Sequence, residues 1–201
     1  MGLDEPSKEA VYQRVLLLQE FGPNLPRPYA DTLKGSMKYK NLKELRAQTK
    51  AHVLRIAYYF DPARKAFLLT GGDKKGKNEE RFHRNLIAEL RHYSATRGGG
   101  SEMKDAIKMM ESTMNPDAVK RAQIQAEQEI LTIRLAQLRE SQNKTQAEMT
   151  SFSQSSISKI EGRKDIKIST LIDYLDNLGM GLEIRACSKA SPFKDTVLLK
   201  I

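Results

Sequence analysis

The sequence has few of the residues from which crosslinked, metal-binding or membrane-spanning proteins are built. Its 201 residues include one cysteine and three histidines. A single cysteine excludes an intrachain disulfide framework and fits a cytoplasmic protein, and so few potential ligands predict no metal site and no cofactor. No run of 18 apolar residues occurs, so we expect no transmembrane helix and no membrane partner. The N-terminus has neither the basic start nor the apolar core of a signal peptide.

Positive charge is concentrated in the first half of the chain. Residues 1–100 contain 19 Lys and Arg against 11 Asp and Glu, whereas residues 101–201 contain 15 against 14. A concentrated positive field attracts phosphate backbones, because binding releases their counterions. Charge alone does not distinguish nucleic-acid binding from ordinary solvation of the surface.

The first half has the pattern of a small α+β domain. Residues 7–21 form an amphipathic helical pattern that stops at Gly22-Pro23. Three strand-like runs and a second helix follow, at 42–46, 53–60, 65–71 and about 79–93. The turn residues Asp61–Arg64 predict that the last two strands form a hairpin.

A glycine-rich segment separates this half from a mainly helical one. The three consecutive glycines of Ser94–Ser101 are typical of a flexible linker. We therefore predict domains at 1–94 and 104–201, joined by a linker at 95–103. Helices are expected at about 103–112, 117–140, 145–150, 154–161 and 168–178.

The last predicted element is a single strand at 182–187, where Cys187 is expected to be packed. One unpaired strand is unstable. We therefore expect it to add to a sheet in the first half or in a second copy of the chain.

The segment Gln154–Glu161 has the pattern of a recognition helix. Small polar residues open it, and Ile157 and Ile160 anchor one edge in a core, together with Leu171 and Leu175. The other edge is free for DNA, where glutamine can bond adenine and serine can reach phosphates or bases. The candidate DNA-binding residues are Gln154, Ser155, Ser156, Ser158, Lys159 and Arg163.

Residues 7–93 resemble the RelE/HigB-like toxins, specifically the phage Gp49-like branch. The resemblance rests on Phe21–Pro23, Arg27–Pro28, Asp31–Ser36, Leu42–Arg46, Arg55–Tyr58 and Gly72–Lys75. It implies an α/β endoribonuclease that cuts mRNA, usually on the ribosome. Such chemistry needs no metal, because the 2′-hydroxyl of the RNA attacks the adjacent phosphate and the protein supplies proton transfer and positive charge.

The resemblance implies a catalytic set of Arg46, Arg55, Lys74 and Lys75, which would converge on one face of the sheet. Relatives often carry a tyrosine near the position of Arg81 or Phe82, and they begin with a β-strand that has no counterpart here. We therefore expect the sheet to lack an edge strand, which the strand at 182–187 is a candidate to replace. If the edge stays open, the toxin-like half would be weak or inactive.

Residues 117–187 resemble the HigA-like antitoxins with an XRE-type helix-turn-helix. The resemblance rests on Leu135–Arg139, Thr145–Met149, Ser153–Glu161, Ile168–Leu171 and Leu178–Ile184. The stretch from Thr145 to Gln154 is three residues shorter than the usual motif. Either the second helix loses nearly a turn or its register moves upstream, which weakens the assignment of a phosphate contact to Gln146.

Together these patterns predict a toxin and its antitoxin fused in one chain, a latent ribonuclease held inactive by a DNA-binding repressor domain. Its expected partners are mRNA and the ribosome, operator DNA, the toxin–antitoxin contact within the chain, and a second copy in a homodimer. One alternative is a transcriptional regulator whose toxin-like domain is inactive. Another is a designed or accidental fusion, with Gly98–Ser101 as its junction.

Overall fold

The structure is a computed structural model, and the chain in it is a mixed α+β protein, as predicted. It describes residues 2–33, 42–78, 80–88, 100–149, 152–162, 166–187 and 195–201. The chain divides into two compact units, Met1–Glu127 and Gln128–Ile201. The predicted domains at 1–94 and 104–201 stay a prediction. None of the helices in the described ranges is both long and apolar enough to span a membrane.

The first unit is built on a five-stranded antiparallel sheet with its strands in chain order. The strands are β1 Ala30–Thr32, β2 Lys43–Gln48, β3 Val53–Phe60, β4 Ala66–Asp73 and β5 Ser101–Glu102. The predicted β3–β4 hairpin is confirmed. Its turn is fixed by Asp61, whose carboxylate accepts a hydrogen bond of 2.7 Å from the amide of Lys65.

Helix α1, Glu5–Phe21, lies against β2. Asp4 caps it by accepting a hydrogen bond of 3.0 Å from the amide of Ser7, which satisfies one of the free donors of the first turn. The predicted apolar face is confirmed, because Val15 and Leu18 are completely buried.

The opposite face of the sheet is covered by α2, which spans residues 80–88. Phe82, Leu86 and Ile87 of α2 form one apolar cluster with Ala57 of β3. Side chains alternate between the faces of a strand. The register pairs Glu44 with Ala57, so Glu44 and Arg46 share this face with α2.

The chain beyond the glycine run contributes to the same unit. Strand β5 pairs antiparallel with β4, and α3, Met103–Thr113, lies against α1 and β4. Residues 89–99 lie outside the described residues. Ser101–Glu102, which lie within the predicted linker at 95–103, form a strand instead. They pair with the edge of β4, which offers unpaired backbone groups.

Helix α4, Pro116–Ser141, extends into the second unit. The elements that follow are a 3₁₀ turn Gln146–Glu148, α5 Gln154–Ile160, α6 Ile168–Asp176, β6 Glu183–Ala186 and β7 Thr196–Lys200. The short segment after Thr145 is therefore a single 3₁₀ turn. The predicted core residues are confirmed, since Ile157, Ile160 and Leu175 are buried and Leu171 packs against them.

The prediction for the strand at 182–187 was wrong. Strand β6 pairs with β7 in a two-stranded sheet instead of adding to the sheet of the first half. Two backbone hydrogen bonds of 3.0 Å between Leu182 and Ile201 extend this ladder. Cys187, expected to be packed, is exposed because it lies just beyond the end of β6.

Candidate functional site

Arg46 and Arg55 occupy directly opposed positions on β2 and β3, so their side chains leave the same face of the sheet. The expected convergence on one face of the sheet is confirmed for these two residues. The side chain of Arg46 is 26% exposed and that of Arg55 is 13% exposed. Both side chains are thus mostly buried, and part of each still reaches solvent.

A buried carboxylate, Glu44, joins these arginines to a histidine. Arg46 donates to it from Nε at 2.8 Å, and Nε2 of His83 lies 2.9 Å from its other oxygen. Nε of Arg55 is 3.7 Å away. Glu44 is 1% exposed, and such a buried charge is stable only when it is paired and hydrogen-bonded.

A second carboxylate, Asp31 of β1, holds the outer side of Arg46. It accepts hydrogen bonds of 2.9 Å from Arg46 and 2.8 Å from Arg27. Burial raises the pKa of Asp31, but the bonds from Arg27 and the Thr32 amide outweigh this, and the pKa falls below its ordinary value. The result is a row of alternating charges in which two carboxylates hold the Arg46 guanidinium group.

Sequence reasoning missed Glu44 and His83. The alternation of β2 was the only available signal, because it places Glu44 on the same face as Arg46. His83 joins them only because α2 folds over this face, and the spacing of residues along the chain does not reveal that.

The two lysines bond to the turn between β2 and β3 and to the start of β3. The amine of Lys75 bonds to the carbonyl of Lys50 at 3.2 Å, and the backbone amide of Lys74 donates to Val53 at 2.7 Å. Phe82, one of the two residues considered for the position of the expected tyrosine, is buried, so it adds an apolar ring and no acid or base. The catalytic role of all four basic residues stays a prediction.

A histidine–aspartate pair lies at the end of β4. Nδ1 of His52 is 2.6 Å from the carboxylate of Asp73, which also accepts bonds from the amides of Val53 and Lys75. Burial raises the pKa of Asp73, but these bonds outweigh it and lower the pKa to about 2. The pair therefore fixes the strand end from which Lys74 and Lys75 project.

The candidate DNA-binding residues lie on or beside α5. Ser153 caps the helix by accepting a bond of 3.2 Å from the amide of Ser156. Ser158 and Lys159 are exposed. Gln154 and Ser155 begin the helix, but their side chains are not described, and Arg163 lies outside the described residues.

Gln146 points into the second unit. Its amide bonds to Glu161 at 2.8 Å, and Glu161 also accepts bonds from Arg139 at 2.7 Å and Tyr174 at 2.8 Å. Burial raises the pKa of Glu161, but these bonds outweigh it and keep the pKa below its ordinary value. These bonds connect α4, the 3₁₀ turn and α6 to the end of α5. They also engage the side-chain amide of Gln146, which was considered for a phosphate contact.

Comparison with known proteins bears on the first half of the chain. Residues 1–92 match the family described as phage derived protein Gp49-like. The chain is 38% identical over 101 residues to "Putative toxin HigB3" of Mycobacterium tuberculosis (strain ATCC 25618 / H37Rv), covering 49% of this chain and 86% of that protein. It is 45% identical over 78 residues to "Putative toxin HigB2" of the same strain, covering 38% of each protein. No solved structure matches.

Proposed function

The chain belongs, through residues 1–92, to the phage Gp49-like family of HigB toxins, and from this membership we propose that it is a toxin and its antitoxin fused in one chain. The toxin part is a metal-independent endoribonuclease acting on mRNA at the ribosome. The remainder restrains it and carries a HigA-like, XRE-type helix-turn-helix that represses its own operon. The chain spans only 38% of the length of the HigB2 relative.

The observation that carries this proposal is the position of residues 101–127. They follow the glycine run, yet they belong to the same compact unit as the toxin-like sheet. Strand β5 adds to the open edge of β4, which is a common way for one protein segment to bind another. Such a segment is well placed to hold the toxin part in a restrained state.

Side chains fasten this segment to α1. The hydroxyl of the buried Tyr12 donates to Glu111 of α3 at 2.6 Å and receives a bond of 3.3 Å from Gln123 of α4. Arg121 donates two hydrogen bonds to Glu9, the shorter at 2.9 Å. The contact therefore combines strand pairing with a partly buried polar bond and an exposed ion pair.

The arginine pair supplies the chemistry of the toxin part. Fixed guanidinium donors stabilise the charge that develops on phosphate oxygens when the 2′-hydroxyl attacks. Glu44 and Asp31 keep Arg46 in position before the substrate arrives, and Arg55 donates a hydrogen bond of 2.9 Å to the carbonyl of Leu54. Lys74 and Lys75 contribute further positive charge from the end of β4.

The HigA-like part rests on the second unit. Helices α5 and α6 share one core through Ile157 and Leu175, and Ser158 and Lys159 remain exposed for DNA. Two copies would place two α5 helices in successive major grooves. A regulator with an inactive toxin-like domain is the second candidate, favoured by the ion pairs that already engage Arg46.

The test compares two fragments with the intact chain in bacteria. Residues 1–97 end before β5, whereas residues 1–127 contain the whole first unit. We expect only the 1–97 fragment to stop growth and cut mRNA. If soluble, folded 1–97 protein leaves mRNA intact, the regulator takes the place of the fused toxin. If 1–127 is as toxic as 1–97, residues 101–127 are not the restraint.

A further inference from the structure

A cavity of about 430 Å³ lies between the end of β4, the turn after it and α2. Gly71, Gly72 and Gly76 line it without side chains, so backbone forms much of its wall. This volume is within the range of small-molecule sites, about 300–1,000 Å³. We call it the β4–α2 pocket.

The polar lining of the β4–α2 pocket is basic and amide-bearing. Lys77 and Arg81 both line it and both are exposed. Among the described residues, no carboxylate forms an ion pair with either. Asn85, one turn beyond Arg81, adds an amide that both donates and accepts hydrogen bonds. The lining therefore suits a ligand with an anionic group and a polar, planar edge.

The pocket adjoins the arginine pair. Gly72 of β4 is the cross-strand partner of Arg55 of β3. Arg55 therefore lies beside a residue without a side chain, and that residue forms part of the pocket wall. The ring of Phe82 lies over this wall, 3.3 Å from where a Cβ at Gly72 would be. A larger residue at position 72 would press on Phe82 and reshape the wall of the pocket.

We propose that the β4–α2 pocket binds one nucleotide of single-stranded RNA beside the phosphate that the arginines hold. Lys77 and Arg81 contact the phosphate of this nucleotide, and Asn85 reads the polar edge of its base. A base can enter such a pocket only when it is unstacked, which favours a single strand over a duplex. The assignment rests on the proposed ribonuclease function and adds a determinant of where the RNA is cut.

The experiment titrates the intact chain, labelled with ¹⁵N, with the 5′-monophosphates of adenosine, guanosine, cytidine and uridine, and with inorganic phosphate. We expect saturable shifts in the amides that line the pocket, with unequal affinities for the four nucleotides. Arg81→Ala should weaken every nucleotide at least tenfold. Asn85→Ala should reduce the differences among the four to less than twofold.

Arg84→Ala is the matched control, because Arg84 is an exposed arginine of the same helix that does not line the pocket. It should leave all affinities unchanged. Absence of saturable binding would overturn the proposal, and so would inorganic phosphate binding as tightly as every nucleotide, or Arg84→Ala acting like Arg81→Ala.

The result of the nucleotide titration can be distinguished from the result of the test of ribonuclease function. If residues 1–97 cut mRNA but nucleotides do not bind in this pocket, only the pocket assignment fails. If nucleotides bind there as expected while folded 1–97 leaves mRNA intact, the ribonuclease function fails and the assignment of the pocket to a cleavage site is overturned with it.

Discussion

Glu44 is the side chain on which the arginine site depends most. It is buried beside Arg46, Arg55 and His83. Removing one partner of a buried pair leaves the others uncompensated and costs about 3 kcal/mol or more. We expect Glu44→Gln to lower the free energy of unfolding of the intact chain by about that amount, measured with urea. Glu80→Gln, an exposed site on α2, should change it by less than about 0.5 kcal/mol; equal effects would contradict the role given to Glu44.

Arg55 should matter for cleavage more than any exposed arginine. Losing one fixed donor to a developing oxyanion lowers rates by about 100-fold or more. We expect Arg55→Ala to do this in the 1–97 fragment, assayed on RNA without added metal, with 2′,3′-cyclic phosphate ends. Arg64→Gly is the control, because Arg64 lies in the β3–β4 turn at a φ of 62° that glycine accepts. Cleavage of DNA, or full activity of Arg55→Ala, would exclude this mechanism.

Asp73 should make the stability of the first unit depend on pH in the acid range. Its pKa is about 2 in the folded chain and ordinarily 3.8, so the stabilisation is complete above 3.8 and is lost as pH falls toward 2. We expect the difference in stability between the unmodified chain and Asp73→Asn to shrink as pH falls from about 4 to 2. Urea midpoints at each pH measure it, and a difference independent of pH would refute the assignment.

Single residues differ in how far the sequence could predict them. The strand-like runs that carry Arg46 and Arg55 were recognisable from local sequence, whereas the register that pairs the two residues was evident only in the folded sheet. The contact between Glu44 and His83 depends on where α2 lies over the sheet. Gln146 was uncertain because the shortened loop allowed two registers, and its bond to Glu161 became evident only in the folded unit.

Among the helices and strands, the contact between α1 and the segment after the glycine run is the least expected. Burial and the bond to Glu111 raise the pKa of Tyr12 to about 12, so the hydroxyl remains a donor. We expect Tyr12→Phe to cost about 1 kcal/mol and to speed hydrogen exchange in α3 selectively. Tyr59→Phe, which keeps the ring stacked on Phe67, should do neither. Uniform faster exchange throughout the first unit would argue against a local contact.

Elements with a long periodic pattern were predicted well, and very short ones were not. Helices α1, α3 and α4 follow their apolar periodicity closely. Strands β1 and β5 contain only three and two residues. Segments this short do not show a recognisable alternation of apolar and polar residues. The strand β7 was missed as well, and with it the partner of β6.

For the molecule as a whole, the proposed repressor role implies a DNA-binding dimer. We expect the intact chain to bind a pseudo-palindromic operator with half-sites about one helical turn apart or a multiple of it. Gln154→Ala with Ser156→Ala should reduce specific binding, whereas Lys159→Ala should weaken binding to all sequences and flatten its salt dependence. Lys120→Ala, an exposed lysine of α4, is the control. Equal affinity for operator and random DNA would exclude the repressor role.

The tether also shapes the behaviour of the whole chain. Joining two binding segments by a short linker gives an effective concentration on the order of millimolar. Even a modest contact between 101–127 and the rest of the first unit would then stay closed. The intact chain should therefore show little ribonuclease activity unless the contact itself is broken.

Gly100 offers the most direct way to break it. A Cβ at this position would collide with the carbonyl oxygen of Leu68 on β4, so Gly100→Ala should displace β5, whereas Gly2→Ala adds a methyl group in open space. We would express both full-length variants in bacteria, follow mRNA integrity, and confirm the release of β5 by hydrogen exchange. The account predicts mRNA cleavage with Gly100→Ala, none with Gly2→Ala, and none when Gly100→Ala is combined with Arg55→Ala. Intact mRNA in cells whose Gly100→Ala protein is folded and has released β5 would contradict it.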